Sequence, residues 1–368
     1  MREARLITTQ AELEAAVFRM QGASRLALDT EFMRERTYYA QLCLVQLASD
    51  TDSYLVDPLA GLELGALYEL LADRTKLKIL HAARQDLEIL HQAGGQLTGP
   101  IFDTQVAAAF LGYPPQVGYA ELVARQLGHS IDKGQTRTDW SRRPLTPEQL
   151  AYAADDVHHL LELHDELSVA LQQKDRAGWV PEETAAFEDP ALYRTEPTEA
   201  WRRLKGLRRL TAEQQAAARA LACWREERAI ASDKPRGWIL SDAALYAIAT
   251  RAPRTEEQLA EVAELPPSVV RKRGQELIAL LEQAGSEPPG HALEPPPGKP
   301  TPEETRLIGR LMESVREEAG RLGISPEVLA TRRDVEALAR GSREGSPLLQ
   351  GWRAGVIGQR MLEALEAR

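Results

Sequence analysis

Cysteine is nearly absent from this chain. Its 368 residues hold two, Cys43 and Cys223, far apart and in apolar or amphipathic surroundings. That fits reduced, buried thiols in a cytoplasmic protein better than a disulfide framework or a zinc site. Long apolar runs are missing too. No stretch of about 18 such residues occurs, so no membrane-spanning helix is expected. Met1-Arg2-Glu3-Ala4-Arg5 lacks the apolar stretch of a secretory signal. No sustained coiled-coil heptad is evident, and a monomer is expected. Positive charge is in deficit, with 45 Lys and Arg against 55 Asp and Glu. Residues 1–200 carry the acidic surplus, whereas 201–284 carry a small basic excess. Such a division suits cations on the first part and an anionic polymer on the second, although ordinary surface variation gives the same pattern.

Hydrophobic residues make up 43% of the chain, ample for a core, and the length calls for more than one domain. Short strands are expected at 4–8, 26–32, 40–48 and 53–58, with close connections that suit antiparallel pairing. A helix capped near Thr8 or Thr9 separates the first two. The pattern then alternates: helix 64–73, strand 77–80, helix 82–93, strand 101–104, and helices near 105–111 and 119–127. A polar loop follows at 129–146, then one helix from Thr146-Pro147 to about 172. This order implies a mixed α/β sheet with helices on both faces. Pro181, Pro190 and Pro197 mark a connector. Helices follow near 211–231, 241–250, 255–263 and 266–282. Residues 285–300 hold six prolines and read as a stiff linker, after which the chain is helical again. Arg225-Glu226-Glu227 echoes Arg316-Glu317-Glu318, Trp238-Ile239-Leu240 echoes Glu327-Val328-Leu329, and Gly274-Gln275 echoes Gly358-Gln359. The preserved order points to two related helical domains; coincidence among similar helices is the alternative.

The chemistry starts at Leu26-Ala27-Leu28-Asp29-Thr30-Glu31-Phe32. Residues two apart on a strand share a face, so Asp29 and Glu31 point the same way. Paired acids need a raised pKa, a cationic partner or a bound cation. Arg34 and Arg36 follow the strand and are the plain alternative. Asp86 falls in the first turns of a helix after a strand, where the helix dipole favours an acid. Tyr152 and Asp156 share a helix face at i and i+4. Together these match phosphodiester cleavage. Two divalent ions would activate water and neutralise the leaving oxygen, and Mg²⁺ calls for carboxylates rather than His or Cys.

The order Asp29-x-Glu31, Asp86, Tyr152-x-x-x-Asp156 resembles the three exonuclease motifs of the DEDD superfamily in its tyrosine-containing branch. The stretches Leu28 to Phe32, Phe102-Asp103-Thr104-Gln105, Thr138 to Leu145 and Glu148 to Val157 are similar to bacterial ribonuclease D. The resemblance covers roughly 1–170, and 205–283 look like an HRDC domain. It implies an RNase H-like mixed-sheet exonuclease domain (1–174), a connector (175–204), an HRDC domain (205–284), a Pro-rich linker (285–300) and a divergent HRDC-like domain (301–368). By the same resemblance, Asp29, Glu31, Asp86 and Asp156 are ligands of two divalent metal ions, Mg²⁺ or Mn²⁺. Tyr152 positions the attacking water, and the Tyr-x-x-x-Asp spacing selects Asp156 over Asp155. The implied activity is a 3′→5′ exoribonuclease acting on single-stranded RNA 3′ ends, releasing 5′-monophosphates and trimming tRNA precursors.

Further candidates are His81, Lys133, Arg137, Trp140 and Arg142, in or beside family-like stretches. Trp140 stacks on a base or plugs the core, and Arg142 contacts phosphate. Asp103 either hydrogen-bonds locally or supports the metal shell, and the structural role is favoured. Arg271-Lys272-Arg273 either touches RNA backbone or is a solvated helix face. Trp201, Trp224 and Trp238 are expected in the core. A DNA 3′→5′ exonuclease shares the same acid set, but no polymerase or helicase segment lies in these 368 residues. A non-catalytic nucleic-acid-binding adaptor is the reading from another class, and the intact acid set weighs against it.

Overall fold

Leu26, Ala27 and Leu28 are all fully buried, which requires cover on both faces and a central place in a sheet. The computed structural model describes residues 4–95, 98–131, 134–135, 138–286, 298 and 300–366. There the strand Arg25–Met33 (β2) sits inside a six-stranded mixed sheet. Its companions are Arg5–Ile7 (β1), Gln41–Ala48 (β3), Ser53–Val56 (β4), Leu77–Leu80 (β5) and Ile101–Asp103 (β6), in the order β1-β4-β3-β2-β5-β6. β2 pairs antiparallel with β3 and parallel with β5. The expected antiparallel portion is therefore β2-β3-β4, and the later βα alternation gives the parallel half.

Helices Gln10–Met20 (α1), Gly65–Ala72 (α2), Arg84–Gln92 (α3), Thr104–Phe110 (α4) and Tyr119–Leu127 (α5) lie where the periodicity puts them. The expected single helix over 147–172 is two, Pro147–His158 (α6) and Leu160–Gln173 (α7). The break is imposed by a side chain from another helix. The Tyr119 hydroxyl donates to the Asp155 carbonyl at 3.1 Å and accepts the backbone N–H of His159. In an unbroken helix those two groups would bond to each other, so an inserted hydroxyl ends the ladder. The proline-bearing connector is not bare coil. Trp179–Thr184 (α8) packs on β6, where Thr184 donates to the Ile101 carbonyl.

The chain forms two compact units. One comprises Met1–Met33, Gln41–Tyr193 and Pro300–Arg368; the other comprises Arg34–Ala40 and Arg194–Lys299. Most of the proline-rich stretch 285–300 lies outside the described residues.

In the second unit, Ala212–Ser232 (α9), Arg236–Ile239 (α10), Asp242–Arg251 (α11), Glu256–Ala260 (α12) and Pro267–Ser286 (α13) enclose a core of Leu221, Leu245, Ile248, Leu259 and Leu277. Trp224 belongs to it and Trp201 packs against it, but Trp238 is 62% exposed on short α10, contrary to expectation. Arg271, Lys272 and Arg273 are exposed on α13. Ala252 ends α11 in the left-handed region at φ +47°, where a Cβ is costly. Ala252→Gly should raise the stability of this unit by about 0.5–1 kcal/mol, read as a higher denaturant midpoint.

The closing segment, Pro302–Leu322 (α14), Pro326–Leu329 (α15), Arg332–Ala339 (α16), Gly351–Arg353 (α17) and Gln359–Glu366 (α18), is part of the first unit. Its Leu307, Ile308, Leu311, Val315 and Leu338 share a core with Phe110, Leu163 and Leu167. The caps share one spacing in the two helical segments. Thr211 and Thr301, both capping boxes, stand 90 positions apart. So do the left-handed ends Asp233 and Gly323, and the caps Ser241 and Thr331. In that register the buried Leu221, Leu245 and Ile248 match the buried Leu311, Val335 and Leu338. Arg225 then stands against Val315, so the Arg-Glu-Glu echo is out of step by one residue.

Candidate active site

Asp29 and Glu31 occupy the last half of β2, opposite Gln46 and Leu44 of β3. The pairing register shifts directly after Glu31, a bulge that ends regular pairing beside the acids. Asp86 arrives from the first turn of α3. That helix is launched by a tight turn, with Ala82 at φ +55°. The Asp103 carboxylate holds the turn, accepting the N–H groups of Ala82 (3.1 Å) and Ala83 (2.9 Å) while capping α4 through Gln105. Asp103 thus bonds locally, to the turn that launches α3 and to the start of α4.

Asp156 comes from α6, whose start is a Thr146–Gln149 capping box with Pro147 in its first turn. Tyr152, one turn earlier, donates its hydroxyl to the Asp156 carboxylate. Carboxylate oxygens of Asp29, Glu31 and Asp156 lie within 4.8 Å of one another. Asp86 joins them electrostatically. Burial raises the Asp29 carboxyl well above its ordinary range, with Asp86, Asp156 and Glu31 adding to it. Burial, then Asp156 and Asp86, push Glu31 up to about 9. Asp86 rises to about 7 through burial, opposed by the Thr30 hydroxyl, which donates to its Oδ1 at 2.5 Å. Asp156 rises to about 7 through burial and Asp155, opposed by Tyr152.

Every one of these shifts is upward, the opposite of what pairing with Arg34 or Arg36 would produce. An all-carboxylate donor set under mutual repulsion suits a hard divalent cation, which would relieve the crowding.

The outer candidates fare differently. His81 is held by both ring nitrogens, Nδ1 to Thr104 Oγ1 (2.9 Å) and Nε2 to the Val117 carbonyl (3.0 Å). Trp140 is 2% exposed in a cluster with Cys43, Leu44 and Leu55, its ring 6.0 Å from Tyr152. Of the two readings for Trp140, the buried plug is the one found, and a base cannot reach that indole. Arg142 is exposed and pairs with Asp139 at 3.2 Å. Lys133 and Arg137 lie outside the described residues.

Three residues escaped the sequence reading. Thr30 binds Asp86 from the middle of D-x-E. Tyr119 braces α6 just before Asp156. Gln46 is fully buried opposite Asp29, with neither amide atom hydrogen-bonded among the described residues. Only the contacts reveal them, because all three act across long sequence separations or across the sheet.

Comparison with known proteins supplies the rest. The 3′–5′ exonuclease family matches residues 4–172, and the HRDC domain family matches 214–281. Ribonuclease D of Pseudomonas paraeruginosa is 38% identical over 93% of this chain and 92% of its own length. Ribonuclease D of Acidiphilium cryptum is 39% identical over 96% and 91%. The crystal structure of Escherichia coli RNase D, an exoribonuclease involved in structured RNA processing, superposes with a TM-score of 0.90. It is 30% identical and aligns over 100% of this chain and 99% of that one. With its acids gathered on such a sheet and its likeness running nearly end to end, the chain belongs to the ribonuclease D family of 3′–5′ exonucleases.

Proposed function

We propose that this enzyme hydrolyses RNA from its 3′ end one nucleotide at a time, using two divalent cations, Mg²⁺ or Mn²⁺, held by Asp29, Glu31, Asp86 and Asp156. The observation that carries the reading is the convergence of four acids from β2, α3 and α6 with every carboxyl pushed upward. When bound, the cations would lower the pKa of the attacking water and neutralise the departing 3′ oxygen. Tyr152, at the edge of the cluster, orients that water through its hydroxyl. Thr30 and Asp103 hold Asp86 in place, one by direct hydrogen bond and the other by fixing the turn before α3. The proposed partner is an RNA with a single-stranded 3′ end, and precursors of tRNA are the proposed substrates. The basic run Arg271-Lys272-Arg273 supplies phosphate contacts outside the acidic part of the chain. A monomer in the cytoplasm fits this role. Among the described residues, no helix is long and apolar enough to cross a membrane.

The test is cleavage of 5′-labelled RNA and DNA strands, read at single-nucleotide resolution with Mg²⁺ or with EDTA. A metal-dependent ladder shortening from the RNA 3′ end is the expected result. A ladder on DNA alone would move the substrate to DNA, and tight binding without cleavage would leave the adaptor reading. Thr30→Val should raise the Mg²⁺ concentration for half-maximal rate by about 10–100-fold, since an outer hydrogen bond to a ligand is lost. An unchanged Mg²⁺ dependence would remove Thr30 from the site.

A further inference from the structure

A second cluster of metal-binding side chains lies outside the carboxylate site. His129, directly after the Gly128 cap of α5, stacks on His159, with ring centroids 5.0 Å apart and planes at 23°. Glu162, in the first turn of α7, places Oε2 3.6 Å from His159 Nδ1. One ligand atom from each of the three residues falls within 4.8 Å of the other two. His129 and Glu162 are exposed and His159 half-buried, so an ion reaches them from solvent.

We propose that His129, His159 and Glu162 form a binding site for a transition-metal cation of the Zn²⁺ class, separate from the carboxylate cluster. Two arguments carry it. Two imidazoles and one carboxylate are the donor set of Zn²⁺, Ni²⁺ or Co²⁺, whereas Mg²⁺ takes oxygen ligands. Donors around a tetrahedral Zn²⁺ stand about 3.3 Å apart, whereas these lie within 4.8 Å, so the stacked His129 and His159 rings must turn for their nitrogens to converge on one ion. The fold itself creates the arrangement. Insertion of the Tyr119 hydroxyl breaks the helix at His159 and leaves that residue in the junction between α6 and α7, beside the end of α5. A continuous helix would not leave His159 in such a junction. An ion here would tie the start of the polar loop after α5 to the helix junction three residues beyond Asp156. The inference does not depend on the nuclease reading.

The experiment is calorimetric titration of the full-length, untagged protein with Zn²⁺ in excess Mg²⁺. Three forms are compared: the natural chain, H129A with H159A, and D29N with D156N. Circular dichroism and thermal melts of each form confirm folding. We expect the histidine variant to bind at least about tenfold more weakly, and the carboxylate variant to keep the site. Co²⁺ absorption should show nitrogen ligation in the natural chain and in the carboxylate variant. Zn²⁺ binding that survives in H129A/H159A and disappears in D29N/D156N would overturn the proposal, assigning the ion to the carboxylates. No Zn²⁺ binding by any folded form would overturn it equally.

Discussion

Asp156→Asn should lower turnover by about 10³-fold or more and, without divalent cations, make the protein more stable. The two effects have one origin. Asn keeps the shape of the side chain but removes a charge from a cluster that burial and repulsion already penalise. Turnover falls because a lost carboxylate weakens a metal position, and such an enzyme's acceleration is at least about 10⁶-fold. The pH dependence fixes the sign. Carboxyl groups raised in the folded state hold protons that the unfolded chain has released, so their stabilisation is complete at low pH. It is lost as pH rises from the ordinary carboxylate range through about 7 for Asp86 and Asp156 and about 9 for Glu31. Melting temperature in EDTA should therefore fall over that window, less steeply in the variant. Mg²⁺ at a hundredfold excess over Kd should return about 2.7 kcal/mol, or roughly 5–10 °C, to the natural chain and much less to the variant. A variant that melts lower than the natural chain in EDTA at pH 8 would show that Asp156 is not under this repulsion.

The acids were legible in the sequence because strand and helix periods fix which side chains share a face, and D-x-E and Tyr-x-x-x-Asp use those periods directly. The sheet was legible for a similar reason: a strand apolar at every position is covered on both sides. What could not be read depends on contacts between distant segments. The break at His159 is imposed by Tyr119, 40 positions away, while the local sequence reads as continuous helix. Thr30 looks like a spacer between two acids until α3 brings Asp86 to it. The letter echoes between the two helical segments do not keep one register, whereas caps and buried apolar positions recur 90 residues apart. Arg225 illustrates why. It is 1% exposed and its guanidinium reaches the Leu240 carbonyl and Asp242, whereas the equivalent place in the last segment is the apolar Val315. Matching charged letters hid a polar interior exchanged for an apolar one.

Trp352→Ala should destabilise the first unit by about 3–5 kcal/mol, the usual cost of deleting a buried aromatic ring. Trp352 is 6% exposed. Its indole stacks on Trp179 at 4.3 Å and meets the edge of Phe110 at 5.1 Å. Its Nε1 donates to Glu183, and its backbone N–H donates to Glu182 at 2.6 Å. Arg353 extends the junction through a 2.7 Å pair with Glu183, and Arg176 donates to the carbonyls of Phe110 and Leu322. Those partners belong to α4, α8 and α14, so the closing segment and the sheet domain complete one core. Exposed tryptophan provides the control: Trp238→Ala, on the surface of the other unit, should change stability by no more than about 0.5 kcal/mol. A chain ending at residue 299 would uncover Phe110 and Trp179 together with the apolar faces that α14 and α16 bury. It should aggregate or melt far below the intact protein, even though all four carboxylates remain. Activity lost on truncation would then report a broken core rather than a missing RNA contact. Point variants that leave the core intact, such as Arg271→Ala with Lys272→Ala, are needed to measure RNA binding. A soluble 1–299 chain melting like the intact protein would show that the two segments do not depend on each other.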